Sequence, residues 1–216
     1  MTDPDPLRAA ADTMHDVRER CVWTQQIDHR DLVPYLIEES AELIDAVEGG
    51  SRAELREELG DLLWQVLFHA EIASRDPDDP FDIDDVARGL TEKMVRRHPH
   101  VFAGEVAETP EQVLVLWNAA KAAEKHERTS VLDGVSERMP SLALAQKLLG
   151  KAAQVSVRVF EGAPGDETTD MASESELGDA LLGLVATARS NGWDAERALR
   201  ERLGVLESEI RDAERA

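Results

Sequence analysis

The sequence predicts an all-α protein, and three observations carry that expectation. Aromatic residues make up only 4% of the chain, while Ala, Leu, Glu and Arg, all good helix formers, dominate it. Apolar residues recur at three- and four-residue spacing, the period of a helix with one buried face, and few β-branched runs alternate with polar residues. Helix start and stop signals punctuate the chain throughout.

The elements follow in order. A first helix is expected from about Leu7 to Arg20, then a non-helical stretch around CVWTQQIDHRD, then a second helix from about Leu32 to Glu48. Gly49 and Gly50 stop it. Ser51 and Glu54 form an S-x-x-E capping box that opens a third helix, whose stripe of Leu55, Leu59, Leu62, Leu63, Val66, Leu67 and Ala70 is expected to be buried. DPDDP at residues 76–80 breaks the chain, and Asp82 caps a fourth helix that ends before Pro99. Thr109 as cap and Pro110 at the first helical position start a fifth helix, to about Lys125.

Beyond Pro140 part of this pattern recurs. ELGDLLWQ at Glu58 is echoed by ELGDALLG at Glu176, and a long amphipathic helix from about Asp194 to Glu214 trails the second copy. The echo points to a duplicated unit. Between the halves EGAPGDETTDMASES, from Glu161, reads as a flexible loop where a second acidic helix would be expected.

Composition removes several functional classes. The chain of 216 residues carries 24 Lys+Arg against 45 Asp+Glu, a formal net charge of −21. That balance repels the phosphate backbone of polymeric nucleic acid. Cys21 is the single cysteine, and the N-terminal MTDPDPLRAA lacks the apolar run of a secretory signal, so a cytoplasmic protein is expected. No stretch approaches the roughly 20 apolar residues of a membrane span.

The acids are where chemistry is legible. A helical residue turns about 100°, so Glu42 lies about 40° from Glu38 and about 60° from Glu39, inside one fan. Glu58 and Asp61 share a face of the next helix, and a Gly-Gly-Ser connection makes the two helices antiparallel neighbours. Leu59 and the pair Leu62–Leu63 follow these acids directly, so they border the apolar stripe and do not lie opposite it. Like charges about 4 Å apart repel by about 4 kcal/mol at an effective dielectric near 20, and divalent cations would offset that cost. Oxygen-only ligands favour Mg²⁺ or Mn²⁺ over zinc or copper. Neither the Glu-x-x-His of di-iron bundles nor an EF-hand loop occurs.

The pattern E-E-x-x-E at Glu38, Glu39 and Glu42, fifteen residues, then E-x-x-D at Glu58 and Asp61 resembles the signature of the all-α nucleoside triphosphate pyrophosphohydrolases of the MazG type. ELGDLLWQVLFHAEIA, KMVRRHPHVF, LWNAAKAAEK and LALAQKLLGKA also resemble segments of that family, in order. The resemblance covers roughly Leu7 to Ala153, with the remainder as a decayed second copy. It implies a four-helix-bundle unit that pairs as a homodimer, with a catalytic domain over residues 1–130 and a degenerate second unit over 131–216. It also implies that Glu39, Glu42, Glu58 and Asp61 hold Mg²⁺, with Glu38 a further acid of the cluster and a candidate to deprotonate water. The implied reaction is hydrolysis of a nucleoside triphosphate to monophosphate and pyrophosphate.

Lys93, Arg96 and Arg97, at i, i+3 and i+4, can reach one phosphate chain or can serve as ordinary charges at a helix C-terminus. Trp117 and Lys121 share a helical face, where the indole could stack on a base and the ammonium could meet phosphate. His98, His100 and His69 read as structural or rim residues. The chain departs from the family in Cys21-Val22-Trp23-Thr24, where C-P-W-D is usual, and in Ile27 and Asp28. The second copy keeps Glu176 and Asp179 without an E-E-x-x-E before them, so it is expected to be catalytically silent. The competing reading is a non-catalytic acidic helical adaptor or nucleotide-sensing module.

Overall fold

The computed structural model describes residues 5–124, 130–155 and 173–213. All of its regular elements in these ranges are helical. The chain divides into two compact units, Met1–Glu124 and Lys125–Ala216, so the division falls a few residues before the position that the sequence suggested.

In the first unit, Asp5 caps α1 (Pro6–Arg20), its side chain accepting from the Leu7 amide at 3.0 Å. A single 3₁₀ turn (Thr24–Gln26) follows. There the buried Thr24 hydroxyl donates to the Val17 carbonyl at 3.0 Å and fastens the turn to the end of α1. Asp28 accepts from the amides of Arg30 and Asp31, while Asp31 accepts from that of Asp28, and this reciprocal closure leads into α2 (Val33–Glu48).

The connection from α2 to α3 (Arg52–Ala73) is as short as the Gly pair suggests. A Cβ on Gly50 would lie 2.7 Å from the Ala46 Cα, so only glycine lets the chain turn this closely. The Ser51–Glu54 capping box is present in both directions, at 3.2 and 2.6 Å. α2 packs more extensively on α3 than on any other helix.

His15 meets Glu71 at 3.1 Å and Glu19 meets Arg75 at 2.6 Å, so numbering rises together along α1 and α3 and the two helices run parallel. Met14, Leu32, Leu67 and Phe68 form the core between α1, α3 and the start of α2. The Arg18 guanidinium covers the Phe68 ring at 5.8 Å and donates to the Ile27 carbonyl at 3.0 Å. Burial of the α3 stripe is partial. Leu67 and Ala70 are buried, but Leu59 remains 53% and Val66 45% exposed. Periodicity identifies the face, but its N-terminal half is only partly covered within the first unit, with Leu55, Leu62 and Leu63 half-buried.

Asp82 caps α4 (Ile83–Arg97) with a second capping box, and Arg8 pairs with Asp84 to hold α4 to α1. The chain does not simply stop at Pro99. It forms a further short helix, α5 (Pro99–Phe102), and then α6 (Pro110–Glu124), whose first turn is held by the Thr109 hydroxyl accepting from the Gln112 amide at 3.3 Å. α4 packs on α3, α5 and α6.

The second unit comprises α7 (Ser141–Gln154), α8 (Glu174–Ser190) and α9 (Ala195–Ala213). Gln146 binds the α8–α9 turn by donating to the Trp193 carbonyl and accepting from the Ala195 amide. Most of the segment expected to be a loop lies outside the described residues, but its end does not: Ser173 caps α8, accepting from the Glu176 amide at 3.3 Å, so Glu174 and Ser175 are helical. No described helix is long and apolar enough to cross a membrane.

Candidate functional site

The α2–α3 hairpin turns acids from two helices toward one another. Glu39, Glu58 and Asp61 each offer a carboxylate oxygen within 4.8 Å of the others. Glu39 and Glu58 are half-buried and Asp61 is exposed. Glu58 has a buried Oε2 with no hydrogen-bond partner, which is costly for an ionised oxygen unless a cation or ligand completes it.

Burial raises the Glu39 carboxyl above its ordinary value, and the charges of Asp61, Glu42, Glu38 and Glu58 raise it further. Glu58 is raised in the same direction, by burial first and then by Glu42 and Asp61. Glu42 is outside the close trio although its charge bears on both Glu39 and Glu58, and Glu38 is exposed beside Glu39. The trio therefore comes from the expected set, with Glu42 and Glu38 as its acidic margin. An oxygen-only donor set, an orphaned buried oxygen and mutual repulsion all fit a hard divalent cation.

Further along α3, Gln65 is buried with an unpartnered Oε1, and it lies seven residues, about two turns, beyond Glu58 on nearly the same line of the helix. His69, one turn on, meets His29 from the loop before α2 with Nδ1 to Nδ1 at 2.7 Å. The ring planes differ by 8° and the centroids are 5.0 Å apart, the N···N distance plus two ring radii. The imidazoles thus meet edge to edge, with their Nδ1 atoms at hydrogen-bond distance. The His69 imidazole is pushed below its usual value by burial and then by His29.

A second cluster lies on α4 and α6. Arg96 Nε donates to Glu124 Oε1 at 2.9 Å and Arg97 Nη2 to Glu124 Oε2 at 2.6 Å. These partners hold the Glu124 carboxyl down at about 2. The Arg97 guanidinium lies over the Trp117 ring at 5.2 Å, and His98 meets that ring edge-on at 5.0 Å. Trp117 is therefore a platform for Arg97, which already covers one ring face. His98 Nδ1–H donates to the Met94 carbonyl at 2.6 Å, a structural role, while His100 has a buried Nδ1 with no partner. Lys93 and Lys121 are half-buried on the same two helices. Acidic and basic clusters thus belong to different helix pairs of one unit, with α4 meeting α3.

Neither the role of Glu124 nor the His29–His69 pair is legible in the sequence. Glu124 is 27 residues beyond Arg97, with no local signal to connect them.

Fold and site together define an all-helical protein built around a carboxylate-only constellation on a helical hairpin. Residues 27–102 match the MazG nucleotide pyrophosphohydrolase domain. The chain is 33% identical to the nucleoside triphosphate pyrophosphohydrolase of Escherichia coli strain K12, over 100% of this chain and 88% of that protein. It is 43% identical to the nucleoside triphosphate pyrophosphohydrolase of Mycolicibacterium smegmatis over 87% of this chain, but spans only 60% of that protein. It is also 48% identical to an uncharacterized 26.1 kDa protein of Streptomyces cacaoi, over 96% of this chain and 82% of that one. The chain belongs to the MazG family of nucleotide pyrophosphohydrolases.

Proposed function

We propose that this chain hydrolyses nucleoside triphosphates to monophosphate and pyrophosphate with a divalent cation, Mg²⁺ or alternatively Mn²⁺, in nucleotide-pool housecleaning. The observation that carries this reading is the convergence of Glu39, Glu58 and Asp61 oxygens within 4.8 Å from two helices. With Glu42 alongside, these side chains would hold the cation. When bound, the cation supplies charge neutralisation at phosphate oxygens and acidifies water.

Glu38, exposed next to Glu39, is the candidate base for the attacking water. Arg96, Arg97, Lys93 and Lys121 supply the cationic groups that meet the phosphate chain, with Trp117 fixing Arg97 in place. A homodimer is part of the proposal. Ile37 (64% exposed) and Val47 (65%) on α2 and Leu59 on α3 are uncovered apolar side chains of the hairpin, of the kind a second copy would bury. The second unit carries Glu176 and Asp179 exposed on α8 and is assigned no chemistry. A cytoplasmic location fits the single cysteine, Cys21.

The test is pyrophosphate release from a panel of normal and modified triphosphates with Mg²⁺, comparing the parent protein with Glu42→Ala and Asp61→Ala. Turnover in the parent and a loss of at least about a hundredfold in Asp61→Ala support the reading. No turnover in the parent, or undiminished turnover in both variants, would favour a non-catalytic nucleotide-sensing adaptor.

A further inference from the structure

Glu124, the last residue of α6, reaches back to α4 and gathers two guanidinium groups with one carboxylate. Arg97 Nε lies 3.1 and 3.2 Å from its two oxygens, in addition to the Nη2 bond at 2.6 Å, so this pair is a fork. The Arg97 and Glu124 side chains are only 12% and 14% exposed, whereas Arg96 is 54% exposed. Arg97 is held a second time by Trp117, and Trp117 in turn by His98.

The three ionised groups sum to one positive charge. None of these bonds uses Nη1 of Arg97 or either terminal nitrogen of Arg96. The arrangement therefore leaves two adjacent donor edges whose chain entropy has already been lost on folding. Without Glu124 the two like charges would repel and each arginine would sample many rotamers.

We propose that Glu124 is a positioning residue for substrate binding, holding Arg96 and Arg97 side by side so that their remaining N–H edges form a clamp for the polyphosphate of a nucleoside triphosphate. The inference rests on the reading of Arg96 and Arg97 as phosphate contacts. It differs from the other role a carboxylate could have here, that of an internal occupant which phosphate must displace. Those two roles predict opposite signs, because removing an occupant tightens phosphate binding and removing a positioning group weakens it.

The experiment uses the full chain with saturating Mg²⁺. It measures kcat and KM for a triphosphate substrate, Ki for inorganic tripolyphosphate, and the thermal midpoint, for the parent, Glu124→Gln and Glu124→Asp. Tripolyphosphate has no base or sugar, so its Ki reads the phosphate contacts, the clamp among them, without the nucleoside. Expected is a rise in KM and Ki of about tenfold or more in Glu124→Gln and about threefold in Glu124→Asp, with kcat changing less than either. A purely structural role would lower the thermal midpoint without this split. Should Glu124→Gln fail to fold, Glu124→Asp decides by the same measurement. Unchanged or lowered Ki overturns the proposal. Arg96→Gln and Arg97→Gln separate it from the reading beneath it. If both leave Ki unchanged, neither arginine binds phosphate and both ideas fall. If they raise Ki while the Glu124 variants do not, only the positioning role falls.

Discussion

Replacing Glu39 by Gln keeps the side chain's size and removes one charge from the trio, and its effect on stability should reverse sign with divalent cation. The candidate ligand oxygens of Glu39 and Asp61 lie within 4.8 Å of each other. Two unit charges at that separation repel by about 0.9 kcal/mol in a water-like medium and about 3.5 kcal/mol at an effective dielectric near 20. Asp61 is exposed, so the lower figure governs. Glu39→Gln is thus expected to stabilise the metal-free protein by about 1 kcal/mol, or about 3 °C in thermal midpoint. A cation held at a hundred times its dissociation constant stabilises the parent by about 2.7 kcal/mol. The variant, whose neutral amide oxygen is a weaker ligand than a carboxylate, gains less. Calorimetric midpoints in chelator and in MgCl₂ at matched ionic strength should therefore cross, with the variant higher in chelator and lower in Mg²⁺. A parent unmoved by Mg²⁺, or a variant already less stable in chelator, would refute the idea that these carboxylates repel and await a cation.

Three further outcomes follow from the same geometry. Gly50→Ala places a Cβ 2.7 Å from the Ala46 Cα, so it is expected to open the hairpin, cost about 1–3 kcal/mol in urea unfolding and weaken the Mg²⁺-induced thermal shift. Glu124 is lowered from 4.5 to about 2 in the folded state, so the stability it contributes is complete above about 4.5 and is lost as pH falls toward 2; Glu124→Gln should flatten that part of the acid-unfolding profile. His69 is lowered from 6.5, so the folded state binds fewer protons than the unfolded one and stability is lost as pH falls below 6.5. His69→Gln should remove that loss, as denaturant midpoints at pH 7.5 and 5.5 would show.

Local signals are legible in the sequence where the physics is local. Ser51 with Glu54, Asp82, and Thr109 with Pro110 start helices because their hydrogen bonds close within three residues, and such pairs are visible as spacing. The helix at Pro99–Phe102 is not legible in the sequence because four residues show no period, and Pro99, which follows the end of one helix, also serves as the first residue of the next. Ser173 is hidden by the polar stretch around it, although its cap is local too. In the same way, angle alone places the acids of α2 and of α3 each on a common face, and the short Gly-Gly-Ser connection opposes them.

The sequence by itself determined the helical class, the helix starts at Ser51, Asp82 and Thr109, and the set of acids from which the close trio is drawn, because each depends on spacing within a turn or two. Only the tertiary structure decided which acids converge, leaving Glu42 and Glu38 at the margin. It also decided that Leu59 and Val66 stay exposed, that His29 meets His69, and that Glu124 gathers Arg96 and Arg97. These contacts join residues far apart in sequence, and their existence depends on how helices pack, a property that no local period encodes.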